Sequence, residues 1–357
     1  MALTFKIQGG VEMKKRILHV LSSNDLAGAE NVAIGIITTL SDSYESAYAS
    51  PSGLIEDVLQ NRGIEHVEMK QLSIRQLRKI IREWKPDLIH AHDFTATIKC
   101  SLVTFTIPVI SHIHQNPHWL QSVNKYSIVF FLACLKIQKI VVVSPIIKET
   151  SFLNRFPSRC ISIKNIVDIN AIKKNALLVE DKDFDIAFIG RYEDIKNPLR
   201  FIGICEKVIE IIPNLRVVML GGGSLEQVCQ KVILQRNLQK NIEIRGFQMN
   251  PYPALLHSKV FVMTSKSEGL PMVLMEALAL SKPVIVPLLP GIDNIVDDSC
   301  SYICENDFEF VEAIIILLNS VEEYQRLKKG AYQRAEELSD IAQFKYHLGQ
   351  VYSSVLQ

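Results

Sequence analysis

From Arg16 almost to its end, the chain alternates short apolar runs with longer segments whose apolar residues recur at three- and four-residue steps. A short, continuous apolar run fits a strand buried on both faces, and a helical segment after each run fits the crossover to the next parallel strand. That rhythm belongs to doubly wound α/β sheets. In the first half, strands are expected at Ile17 to Leu21, Leu88 to Ala91, Pro108 to Ile113, Ile140 to Val143 and Cys160 to Ile163. A polar stretch from Asp168 to Asp183 interrupts the pattern. It resumes with strands expected at Ile186 to Ile189, Val217 to Leu220, Ile242 to Ile244, Val260 to Met263 and Val284 to Val286. After Pro198, the residues Phe201, Ile202, Cys205, Val208, Ile209 and Ile212 mark one buried stripe of a helix. From Phe308 onward only helices are expected. At 357 residues the chain exceeds one ordinary core. The expected architecture is therefore α/β, with Rossmann-like domains at 1–168 and 169–335 facing a central cleft. A C-terminal helix at 336–357 would return to the first domain.

Thirty-nine Lys and Arg balance thirty-eight Asp and Glu, so no bulk field draws the protein to nucleic acid, and no nucleic-acid partner is expected. The seven cysteines (100, 134, 160, 205, 229, 300 and 304) contain no C-x-x-C pair and are expected to be reduced and mostly buried. No stretch approaches the roughly 20 apolar residues that span a bilayer, and the N-terminus lacks a signal-peptide apolar region, which points to the cytoplasm. Met13 directly precedes the basic lead-in to the first strand and is expected to be the native start. The apolar segment Ile128 to Leu135, with Lys125, Lys136 and Lys139 around it, either packs as a core helix or rests on a membrane surface. The core reading carries the greater weight.

Chemistry concentrates in a few places. Glu268 and Glu276 stand eight residues apart, where a loop after one strand enters a helix over Pro271 to Leu280. There they either cap the helix and face solvent, or grip separate parts of one extended ligand. The backbone of Gly269, Leu270 and the residues around Pro271 lies at the helix start, which favours an anion. Gly190-Arg191 closes another strand, with Lys196-Asn197 at the next helix start. Arg191 and Lys196 are either a surface pair or a clamp for a diphosphate. Gly221-Gly222-Gly223 lacks the G-x-G-x-x-G spacing of a dinucleotide site. Ala27-Gly28-Ala29-Glu30 opens the first helix with a small loop in which Gly28 lets a phosphate approach. His90-Ala91-His92-Asp93 and His112-Ile113-His114 end two strands. Alternating histidines share a face and imitate metal ligands, but hydrogen-bonding or acid–base roles are favoured and no metal is expected.

These motifs together resemble the retaining glycosyltransferases of the GT-B fold, family four, group 1, over nearly the whole chain from Arg16. The Glu268-x7-Glu276 segment, flanked by Ser265 and Ala277-Leu278-Ala279, carries most of the likeness. The resemblance implies that Glu268 lies beside the donor sugar, that Glu276 holds the ribose hydroxyls, and that Arg191 and Lys196 hold the diphosphate. It places Gly222 and Gly190 in the turns beside the nucleotide and Gly246-Phe247 near the base. It puts His114, with His112 as competitor, beneath the reacting carbon, and His92 and Asp93 on the acceptor side. Ser144 and the Asn165–Asp168 turn match hinge-side landmarks. The implied partners are a nucleotide-diphosphate sugar, such as a UDP-sugar, and a glycan or lipid-linked acceptor. The setting would be capsule or lipopolysaccharide synthesis, with peripheral contact at the inner membrane and no resident cofactor. A 2-epimerase on the same fold and a non-catalytic sugar-nucleotide-binding subunit are the alternatives.

Overall fold

The computed structural model describes residues 14–24, 28–115, 117–149 and 152–356, so Ala27 and the start expected at Met13 lie outside the described residues. Strands β1 (Lys15–Val20), β2 (Tyr44–Pro51), β3 (Glu65–Met69), β4 (Leu88–Ala91), β5 (Val109–Ile113), β6 (Lys139–Val142) and β7 (Cys160–Ser162) form one sheet in the order 3-2-1-4-5-6-7. Strands β8 (Phe184–Ile189), β9 (Val217–Leu220), β10 (Ile242–Ile244), β11 (Ser258–Val262), β12 (Val284–Pro287) and β13 (Ser301–Cys304) form a second, in the order 10-9-8-11-12-13. β1 pairs in parallel with β2 and β4, and β8 with β9 and β11.

Both orders reverse direction beside their first strand. There the loops leaving neighbouring strands diverge to opposite faces and open a crevice at the carboxyl ends. In the first sheet this point lies between β1 and β4, and in the second between β8 and β11. The central strands are apolar on both faces because helices cover both: Ile186, Val217, Val218, Val260, Phe261 and Val262 are all fully buried.

The helix Pro198–Ile211 follows β8. Asn197 takes left-handed backbone (φ 53°) before it, and Pro198 starts the first turn, where its missing N–H costs nothing. Phe201, Ile202, Cys205 and Val208 are fully buried along it, each contributing about 2 kcal/mol of apolar burial. Ile209 and Ile212 of the expected stripe pack partly buried at its edge. The tail is helical as expected: Asp307–Asn319, Val321–Leu338 and Ile341–Leu356. All seven cysteines are buried free thiols.

The chain divides into two compact units, one of residues 1–113, 123–141 and 348–357, the other of 114–122 and 142–347. Among the described residues, no helix is long and apolar enough to cross a membrane. The helix Lys125–Cys134, weighted toward a core position by its sequence, is only half of one. Ser127, Phe130, Ala133 and Cys134 are buried, whereas Ile128, Val129 and Leu132 are exposed.

Candidate active site

Three loops of the second unit are stitched together at the end of β8. The Gly190 N–H donates to the Leu220 carbonyl (3.0 Å), the Tyr192 N–H to that of Gly222 (2.8 Å), and the Gly221 N–H to that of Gly246 (2.9 Å). Gly221 has φ +138°, and a Cβ there would lie 1.9 Å from the Gly190 carbonyl oxygen. Only glycine allows this approach. Arg191 therefore projects from a backbone fixed on two sides. Its side chain is exposed and forms no salt bridge among the described residues.

Five residues on, Lys196 meets the other motif. Its Nζ lies 2.6 Å from Oε1 of Glu268, and both side chains are largely withdrawn from solvent. The backbone beneath is pinned as well, since the Thr264 hydroxyl donates to the Lys196 and Asn197 carbonyls (3.2 and 3.1 Å) and the Lys266 N–H to that of Ile195 (2.8 Å). A charge-assisted contact of this kind is worth about 2 kcal/mol. Glu268 is not a helix cap. The helix runs Met272–Ala279, with Pro271 as its cap residue and no side-chain cap bond.

Glu276 departs from the solvated reading as well, since it is 8% exposed. Burial pushes its carboxyl up to about 7, partly offset by the Tyr252 hydroxyl, which donates to Oε1 at 3.3 Å. A carboxylate so placed gains most from further O–H donors, the groups a sugar ring presents. A Cβ on Gly269 would fall 2.3 Å from the His114 carbonyl oxygen, so the loop after Glu268 lies directly on the backbone of His114. Burial pushes the His114 imidazole down to about 3, leaving it neutral. Leu270 is half-buried and Pro271 buried. Gly246 has φ +68°, and Phe247, 43% exposed, stands beside Gly222. Arg245 is bound to Asp181 (2.6 Å) and Glu243 (2.8 Å) and fixes this loop.

Two residues at the site escaped the sequence reading. Tyr252 begins a short helix with no motif around it. Ser265 was seen only as a flank, but its buried hydroxyl has no hydrogen-bond partner among the described residues.

The first unit gathers the strand-end histidines. His19 of β1, the missed member, lies with its Nδ1 2.9 Å from Nε2 of His92. Nδ1 of His90 lies 2.7 Å from the Tyr352 hydroxyl. The His90 ring stacks on those of His92 (4.2 Å) and His112 (5.2 Å). One nitrogen each of His19, His90 and His92 falls within 4.8 Å of the others, a spacing a metal ion could use. Burial pushes His19 down to about 3. His92, expected on the acceptor side, is buried, and Asp93 directs its two carboxylate oxygens to the Ser22 and Ala96 N–H groups (both 2.7 Å). Gly28 opens the helix Gly28–Thr39 at an exposed position.

Comparison with known proteins shows the family and the fold. Residues 170–334 match the family model described as glycosyl transferases group 1, and residues 36–171 match that of glycosyltransferase family 4. The chain is 29% identical over 233 residues to an uncharacterized glycosyltransferase of Methanocaldococcus jannaschii, covering 59% of this chain and 57% of that one. It is 24% identical over 280 residues to the capsular polysaccharide biosynthesis glycosyltransferase CapH of Staphylococcus aureus, covering 73% and 78% of the two chains. Its fold is similar to that of Anabaena HepE in complex with UDP and glucose, with a TM-score of 0.81 at 17% identity over 95% of this chain and 99% of that one.

Proposed function

As the chain belongs to the family-four, group 1 glycosyltransferases of GT-B fold, we propose that it moves a sugar from a nucleotide-diphosphate donor to a glycan or lipid-linked acceptor. The setting would be bacterial surface-polysaccharide synthesis, and the reaction would retain the anomeric configuration without a metal. The observation that carries this reading is the convergence of two motifs at the β8–β11 switch point: Lys196 and Glu268, 72 residues apart, meet at 2.6 Å, with Gly190 of the first motif next to the Lys196 side chain. The capsular relative supports the pathway, and the UDP bound by HepE supports a UDP-sugar as donor.

In this scheme Arg191 and Lys196 neutralise the diphosphate. Glu276 accepts hydrogen bonds from the ribose hydroxyls, and Glu268 and His114 hold the sugar. The bond from the anomeric carbon to the phosphate oxygen breaks as the acceptor oxygen bonds to the same face. The departing phosphate oxygen takes the acceptor's proton. The two cations stabilise the charge that accumulates on the leaving group, the work a divalent ion would otherwise do.

Thermal unfolding with UDP, GDP, ADP and CMP tests the donor site, since a ligand bound only to the folded state raises its melting temperature. A shift with one diphosphate, lost in Arg191→Ala and Glu276→Ala, is the expected result. No shift with any nucleotide would refute the donor site and leave only the fold standing.

A further inference from the structure

Within the first unit, β1 and β4 pair in parallel with His19 opposite His90, so both imidazoles stand on one face of the sheet. His92 follows His90 by two residues and joins that face, its own N–H tied to the Val20 carbonyl (3.0 Å). All three residues are at most 1% exposed. Their nitrogens converge: Nδ1 of His19 and Nε2 of His92 are 2.9 Å apart, and one nitrogen of His90 falls within 4.8 Å of the others. Burying three imidazoles costs more than burying apolar side chains of similar size, so their convergence calls for a chemical reason. The alternating pair at the end of β4 supplies two ligands only, and the third comes from β1, distant in the chain.

Nitrogens this close share either a proton or a metal ion. One proton joins His19 to His92 alone, whereas one ion can take all three rings. Three nitrogens bound at about 2.0–2.1 Å to one tetrahedral ion lie about 3.3 Å apart. The His19–His92 pair therefore opens by a few tenths of an ångström, and His90 closes in by about 1.5 Å at most. The Tyr352 hydroxyl lies 2.7 Å from Nδ1 of His90, which fixes that ring and assigns its Nε2 to the ion, as outer partners of metal-bound imidazoles do. Tyr352 comes from the last turns of the C-terminal helix and is itself buried. Countercharge is at hand. Tyr48, opposite His19 on β2, feels the carboxylates of both Asp93 and the buried Glu30, so two negative charges stand against a divalent ion. An all-imidazole donor set suits zinc, cobalt, nickel or copper, and not magnesium or calcium, which take oxygen ligands.

We propose that His19, His90 and His92 bind a late first-row divalent metal ion of the zinc class in a buried structural site, with a water completing the tetrahedron and Tyr352 orienting His90. The ion ties β1 and the end of β4 to the last turns of the C-terminal helix and takes no part in the sugar-transfer scheme. Because its ligands are buried, it leaves only when this part of the fold opens, so brief exposure to chelator does not remove it.

The full chain, free of any polyhistidine tag, is stripped by prolonged dialysis against chelator and titrated with zinc or cobalt(II) alone. One zinc per chain after gel filtration, a raised melting temperature and the strong visible bands of four-coordinate cobalt are expected. His19→Ala and His92→Ala are each expected to abolish the cobalt bands, and Tyr352→Phe to weaken zinc binding about ten- to a hundredfold. His347→Ala, at an exposed histidine, is expected to change nothing. Wild-type protein that shows no cobalt bands overturns the proposal, and the imidazoles then share protons only. Bands that persist in both His19→Ala and His92→Ala, or that vanish in His347→Ala, overturn it as well and mark an adventitious surface ion. Should the alanine variants fail to fold, the wild-type spectrum and the Tyr352→Phe titration decide. His19→Ala is expected to keep any nucleotide-induced stabilisation. A failed nucleotide shift with intact cobalt bands would count against the donor site and leave the metal site standing.

Discussion

Glu276→Gln separates the stability of the site from its function. The carboxyl is 8% exposed, and burial raises it from 4.5 to about 7. Between those values the folded chain keeps a proton that the unfolded chain has released, so the folded state is favoured toward acid. The stability associated with this proton is fully present below about pH 4.5, declines as pH rises, and is gone above about pH 7. The difference is worth about 3 kcal/mol. Glutamine keeps the side chain's size and its acceptor for the Tyr252 hydroxyl but carries no charge to desolvate. Without ligand, the variant is expected to match the wild type near the acid end and to exceed its stability by up to about 3 kcal/mol at mildly alkaline pH. Urea denaturation of both proteins across this range measures the effect. The same variant is expected to lose nucleotide-induced stabilisation, because an amide offers N–H donors where the ribose hydroxyls need an acceptor, and stability gained at a site commonly costs function. A stability difference between variant and wild type that does not change with pH would refute the reasoning, since a charge-burial cost must vanish once the carboxyl is protonated in both states.

Arg191→Ala is expected to weaken diphosphate binding about ten- to a hundredfold, the loss of one charge-assisted contact, measured by titration calorimetry. Arg191→Lys restores only part, for want of the guanidinium fork. Gly221→Ala drives a methyl onto the Gly190 carbonyl from a left-handed backbone. It is expected to lower stability by about 2 kcal/mol or more, read by thermal melting, and to reduce nucleotide binding because Arg191 moves with that loop. Sugar transfer is expected to persist in EDTA, measured as initial rate with and without chelator. Its abolition would contradict the cation-clamp scheme.

Much of the fold is legible in local pattern. Leu88 to Ala91, Val217 to Leu220 and Ile242 to Ile244 are strands at the expected positions; Val217 to Leu220, buried on both faces, is apolar throughout, whereas β4 carries His90 and the edge strand β10 carries Glu243. β2 and β3 were not expected. β2 buries Ala47, Ala49 and Ser50 beside Tyr48, side chains too small or polar to register as an apolar run, and β3 is an edge strand rich in Glu and His. β13 was missed for a similar reason, its four residues including Ser301 and Cys304 at the ends of a short run. The motif residues Arg191, Lys196, Glu268 and Glu276 were legible as residue types at telling spacings. Their physical state was not. The 2.6 Å contact of Lys196 with Glu268 exists because β8 and β11, far apart in the chain, are neighbours in the sheet. The raised carboxyl of Glu276 depends on burial and on Tyr252, 24 residues upstream. Ile128, Val129 and Leu132 on the outer face of Lys125–Cys134 stay exposed among the described residues, although the sequence alone favoured a core. Sequence by itself determined which segments bury apolar surface and which residue types stand at strand ends, because periodicity and turn chemistry are local. Only the tertiary structure decided which loops meet, which charges lose their water and which apolar face is left uncovered, because solvent exclusion depends on segments distant in the chain.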